Sequence, residues 1–114
     1  MMDLRLKEEP CVFDGHTYLL RCNMNVLADV QEAYGGNISA ALRQSTSVRT
    51  INTFLTAMIN DYADEMGWPS YTVKQVGRLL PTDSKSMTAR TEMVMRLVTA
   101  AVAADRQTDS EQKN

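Results

Sequence analysis

The segment Cys11-Val12-Phe13-Asp14-Gly15-His16-Thr17-Tyr18-Leu19-Leu20-Arg21 predicts a β-hairpin. Its Asp14-Gly15 pair is a two-residue turn signal, because a type I′ turn needs positive φ and glycine supplies it at no steric cost. A period of two then puts Tyr18, Leu20 and Cys22 on one face of the second strand. Leu4 to Lys7 predicts a further strand. From Asn23 onward the period is that of helices. Asn23 or Asn25 caps a helix that runs to about Tyr34, with an apolar stripe of Leu27, Val30 and Tyr34, and Gly35-Gly36 ends it. Ile38 to Arg43 predicts a short helical piece capped by Asn37 or Ser39.

The clearest helix spans Ser47 to Met66, where Val48, Ile51, Leu55, Met58, Ile59, Tyr62 and Met66 follow the 3.6 period. Asp61, Asp64 and Glu65 crowd its last turns, where the helix dipole favours cations. Gly67 stops it and Trp68-Pro69-Ser70 connects onward. Thr72-Val73-Lys74-Gln75 has capping-box spacing and opens a helix through about Leu80, with Val73, Val76, Leu79 and Leu80 on its buried side. After Pro81-Thr82-Asp83-Ser84 a final helix runs from roughly Lys85 to Ala104. The polar residues 105–114 predict a disordered C-terminal tail. The fold class is therefore mainly α (α+β), an N-terminal β-hairpin followed by a compact bundle of four to five helices, in a single domain over residues 1–104.

Composition adds bounds. The 114 residues are 44% apolar and 23% charged, with 12 basic and 14 acidic side chains and a net charge of −2. That balance predicts no general attraction to nucleic acid or to an anionic membrane, and no apolar run reaches the ~18 residues of a membrane span. The N-terminal residues lack the apolar run of a secretory signal, so a cytosolic location is expected. Cys11 and Cys22 flank the hairpin; a disulfide is one reading, and two buried thiols in a reducing compartment the commoner one. Two cysteines and His16 fall short of the four ligands that structural zinc takes, and no cofactor is expected.

Site chemistry is sparse. There is no Gly-x-Ser-x-Gly, and Gly15, Gly35, Gly36, Gly67 and Gly77 form no phosphate-cradling loop. Asp61, Asp64 and Glu65 lack the alternating spacing of a calcium loop. His16 reads as a turn residue. The sequence thus predicts a protein without enzymatic activity. Tyr71 to Leu80 and Ser84 to Arg96 resemble the two helices of a helix-turn-helix, with Arg78, Lys85, Arg90 and Arg96 as basic residues. A groove-reading helix, however, presents polar side chains outward, and this second helix grows more apolar along its length.

At 100° per residue, Ala100, Met93, Ala104, Leu97, Ala101, Val94, Val98 and Val102 cover an arc of roughly 200°, already more than half the circumference, and Met95 widens it further. Two readings follow. The last helix is either a central helix packed on two sides, or carries an interface around Met95, Val98 and Val102. Methionine, of which the chain has eight, suits an adaptable surface as well as a core.

The order of elements resembles the small tail assembly chaperones of long-tailed bacteriophages. The residues that carry the resemblance are Tyr18 to Leu27 after the turn, Glu32-Ala33-Tyr34-Gly35-Gly36, Phe54 to Asp61, and Thr72-Val73-Lys74-Gln75-Val76-Gly77-Arg78-Leu79-Leu80. Together they cover about residues 11 to 100. The segment Asp64 to Ser70 departs from the pattern like an insertion and carries Trp68, which looks exposed and joins Met95, Val98 and Val102 as a candidate protein-binding residue. The resemblance implies a protein of the host bacterial cytoplasm, absent from the mature virion. It would bind the phage tape measure protein, keep it soluble and help recruit tail tube protein. Another tail or head-tail adaptor role, or a small helix-turn-helix DNA-binding regulator, is the alternative. An exposed hairpin edge would in addition pair with a second subunit's strand, so a homo-oligomer is also expected.

Overall fold

The computed structural model describes residues 7–44 and 47–113, with side chains described up to residue 102. Strand β1 (Glu9–Phe13) and strand β2 (His16–Leu20) pair antiparallel, with Phe13 opposite His16 and Glu9 opposite Leu20. Asp14 at φ 50° and Gly15 at φ 80° make the turn left-handed at both positions, as a type I′ turn requires. Phe13, Tyr18, Leu20 and, just past the strand, Cys22 are buried on one side. The strand expected over Leu4 to Lys7 lies, Lys7 excepted, outside the described residues.

Five helices follow among the described residues. In α1 (Met24–Ala33) the Asn23 side chain accepts from the Val26 N–H at 3.0 Å. Val26 and Val30 are its buried residues, while Leu27 and Tyr34 are half-buried, so the apolar stripe is rotated slightly from the expected one. Gly36 closes the helix by donating its N–H to the Gln31 carbonyl at 2.8 Å. Helix α2 (Ile38–Arg43) is capped by Asn37. Helix α3 (Val48–Met66) is capped by Ser47 and ends at Gly67, whose φ of 73° is the left-handed conformation favoured at this position.

Helix α3 is the centre of the molecule. Every residue from Thr50 to Ile59 is buried, apart from half-buried Asn52. Strand β2, α1, α4 (Val73–Leu79) and α5 (Ser84–Lys113) all pack against it. Its amphipathic pattern marked the strongest stripe, but three threonines complete the buried circumference. Thr50 bonds Tyr34 Oη and Ser47 Oγ, and Thr53 donates to the Arg49 carbonyl at 2.8 Å. Such bonds let hydroxyls sit in a core.

Helix α4 begins with both halves of the Thr72–Gln75 capping box. The Asn60 side chain fixes its approach, accepting from the Tyr71 N–H and donating to the Tyr71 carbonyl, both at 2.8 Å. Only Val76 is buried on it; Val73 is 38% and Leu79 50% exposed. The expectation that both face inward is corrected, because so short a helix meets α3 along one line. Helix α5 starts where Asp83 accepts from the Ser86 N–H at 3.0 Å. Its backbone stays helical to Lys113, past Ala104, where the sequence places the start of a tail. Residues 105 to 113 hold neither glycine nor proline to break it.

Candidate interaction surface

The wide apolar arc of α5 resolves into two parts. Val94, Leu97 and Val98 are buried, with Met93, Met95 and Ala101 packed partly against the same core. The neighbouring row faces outward and forms the wall of two open, shallow grooves. One, of about 530 Å³, lies over Met95, Thr99 and Ala100, with Lys7, Glu92 and Arg96 at its sides. The other, of about 480 Å³, runs from Val48 past Met87, Thr88 and Thr91 to the same Glu92. The two therefore follow one face of α5 end to end.

Of the candidate binding residues, the structure brings Met95 to the floor of the first groove, half-buried. Val98, only 5% exposed, belongs to the core, which removes it from any surface. Val102 is half-buried on the next turns of α5. Of the two readings of this helix, the central one packed on two sides is not what is found: α3 occupies the centre, and α5 packs against it.

Trp68 is elsewhere and is not the exposed aromatic the sequence suggested. Past the left-handed Gly67, the Trp68 N–H donates to the Ala63 carbonyl at 2.7 Å, which folds the chain back at the end of α3. The indole thus lands edge-on against Tyr18 and Tyr62, at centroid distances of 5.2 and 5.7 Å, and beside His16 at 5.1 Å. Phe13 extends the cluster to Tyr71 at 5.2 Å. Tyr71 in turn donates its hydroxyl to Asp14 at the hairpin turn, at 2.7 Å, and that bond raises the phenol's pKa. The aromatic group fastens the hairpin to the α3–α4 connection. It is packing, with Trp68 half-buried at its edge.

Arg21 is a residue that sequence reasoning passed over. It donates to Glu8 at 3.0 Å, lies 3.6 Å from Asp61 and is hydrogen-bonded to Glu65. A cation from the hairpin thereby meets the acidic C-terminal turns of α3, which resolves the dipole mismatch seen in the sequence. Asn23 and Asn25 add donors to Asp61 at 2.8 and 3.3 Å. The surplus of carboxylates at one helix end was the available signal that an opposite charge packs there.

Two of the arginines a nucleic-acid reading would use are engaged within the protein. Arg90 donates to the Pro81 carbonyl at 2.7 Å, and Arg96 forms a two-pronged pair with Glu9 at 2.9 Å for each bond. Both thiols are free. Burial pushes Cys22 up to about 11 and raises Cys11 as well, so neither is tuned as a nucleophile. Among the described residues no group of His, Cys, Asp or Glu is arranged to hold a metal ion, and no helix is long and apolar enough to cross a membrane. The first groove offers apolar contact bordered by charges of both signs, and the second is lined mostly by hydroxyls, with Val48, Met87 and the carboxylate of Glu92. Comparison with known protein families, with curated proteins and with solved structures gives no match.

Proposed function

We propose that this protein is a non-enzymatic assembly factor, a tail assembly chaperone of a long-tailed phage that binds the tape measure protein, keeps it soluble and helps recruit tail tube subunits in the host cytoplasm. The observation that carries the protein-binding part is the outward face of α5. It is a helix wall with the apolar side chains of Met95 and Ala100 beside exposed Thr99, bordered by a second groove at Val48 and Met87. A shallow groove along a helix fits another amphipathic helix, whose side chains at i, i+3, i+4 and i+7 lie along it. A tape measure protein is a long helical client whose apolar face must be covered before the tube forms around it, and a shallow, partly polar surface suits a contact that is later released.

The chaperone identity rests on the element order and on the residues that resemble the family, from Tyr18 to Leu80. The hairpin, the helix ended by Gly35-Gly36 and the Thr72-capped α4 occur in that order. The regulator alternative is disfavoured by the engagement of Arg90 and Arg96 within the fold.

Co-expression with the tape measure protein of the same phage tests the proposal. The client should become soluble and co-purify with this chain, and Met95→Asp should abolish the complex while leaving the fold intact. A client that stays insoluble and unbound sinks the chaperone reading. A salt-sensitive shift of duplex DNA would revive the regulator.

A further inference from the structure

The hairpin has one open edge and one blunted edge. Its two-residue turn makes Phe13 and His16 the hydrogen-bonded pair beside the turn. Alternation then makes Cys11–Tyr18 and Glu9–Leu20 bonded pairs, and Val12–Thr17 and Pro10–Leu19 the pairs whose N–H and C=O groups point away from the hairpin. On β1 that outward row includes Pro10, which has no N–H, so this edge is a poor template for another strand. On β2 the outward row is Thr17 and Leu19, each with a donor and an acceptor. Among the described residues the sheet has two strands and nothing pairs with β2 on that side. Both residues are exposed, and with Pro10 and Val12 they form the uncovered outer face of the hairpin.

We infer that this edge of β2 pairs antiparallel with the same edge of a second copy of the chain, about a two-fold axis at Tyr18. In that register Thr17 stands opposite Leu19 of the other copy, so the outward groups of both residues bond across the axis. His16 then faces Leu20 and Arg21 faces Gly15, so no like charges are opposed. A second copy is the occupant whose free groups match in number and spacing by identity. Because Pro10 blunts the outer edge of β1, the sheet closes at β1-β2-β2-β1 and the assembly stops at a dimer. So short an edge buries far less than the roughly 1,200–2,000 Å² of a stable interface, and the dimer is weak and dependent on concentration. The inference is independent of the chaperone reading.

Sedimentation velocity from micromolar to millimolar protein, together with amide hydrogen exchange, tests it. The mass should rise from one chain to two and no further, and the Thr17 and Leu19 amides should gain protection as it does. Leu19→Pro removes an outward N–H but none of the hairpin's own bonds, as Pro10 does on the facing strand. Leu19→Lys adds a charge at the edge and serves if the proline variant does not fold. Each should weaken association by about tenfold or more with unchanged helical circular dichroism. A monomer at millimolar concentration, growth beyond a dimer, or a dimer that both variants form as readily would overturn the inference. A dimer in which Thr17 and Leu19 exchange freely would do the same.

Discussion

Arg96 on α5 grips Glu9, the first residue of β1, through two hydrogen bonds of 2.9 Å, Nε to one carboxylate oxygen and Nη2 to the other. The pair joins positions 87 apart in the chain and ties the last helix to the hairpin at the border of the Met95 groove. Planar two-pronged pairing of this kind fixes orientation as well as distance.

The pair has a pH signature. Hydrogen bonding from Arg96 holds the Glu9 carboxyl below its ordinary value of 4.5. A carboxylate lowered on folding contributes stability that is complete above its unfolded value and disappears as pH falls through the lower folded value. Glu9→Gln should therefore flatten the loss of stability below about pH 4.5 while changing little in the steepness of the unfolding transition. Urea midpoints measured at neutral and acid pH give the comparison; a slope identical to wild type would remove Glu9 from the account.

Thr56, 4% exposed on α3, has a hydroxyl with no hydrogen-bond partner among the described residues. A buried hydroxyl left unbonded costs about 1–3 kcal/mol. The isosteric Thr56→Val should therefore stabilise the protein by about 1 kcal/mol. Thermal and urea unfolding read the sign directly, and a destabilised variant would mean that the hydroxyl is satisfied.

Met95 and Val98 lie on adjacent turns of α5 but in different environments, one on a groove floor and one in the core. An aspartate at Val98 buries a charge without a partner and should destabilise by more than about 3 kcal/mol. Met95→Asp should stay folded, at a cost of about 1 kcal/mol or less for a half-buried position. Circular dichroism and unfolding curves separate the two; equal losses would mean that Met95 is core and the groove no surface.

The buried Cys22 thiol, pushed up to about 11, should resist thiol reagents in the native protein at mildly alkaline pH. Unfolding in urea should release it, speeding labelling by about a hundredfold or more. Half-buried Cys11 should label first. Equal native rates at both cysteines would contradict the packing beneath β2.

Much of the local structure was legible because it is decided within a few residues. Asp14-Gly15, Asn23, Asn37, Ser47, Gly67 and the Thr72–Gln75 box act on backbone groups no more than about five positions away, and each sets a turn or a helix end near where the sequence predicts one, with Asn23 rather than Asn25 and Asn37 rather than Ser39 as the caps. The candidate surface was legible only in part. Met95 and Val98 carry the same apolar signal at neighbouring positions, and composition cannot say which of the two a second element will cover.

The sequence by itself determined the hairpin, the capped helix ends and the apolar stripe of α3, since propensity and capping are short-range effects. Tertiary structure alone decided that α3 rather than α5 is the central helix. It also turned Trp68 inward onto Tyr18 and Tyr62, and brought Arg21 to the acidic end of α3. Those outcomes depend on which faces meet, and a periodic pattern records that a face is apolar without recording its neighbour. The pairing of Glu9 with Arg96 is of the same kind: charge complementarity across most of the chain exists only once β1 and α5 lie side by side.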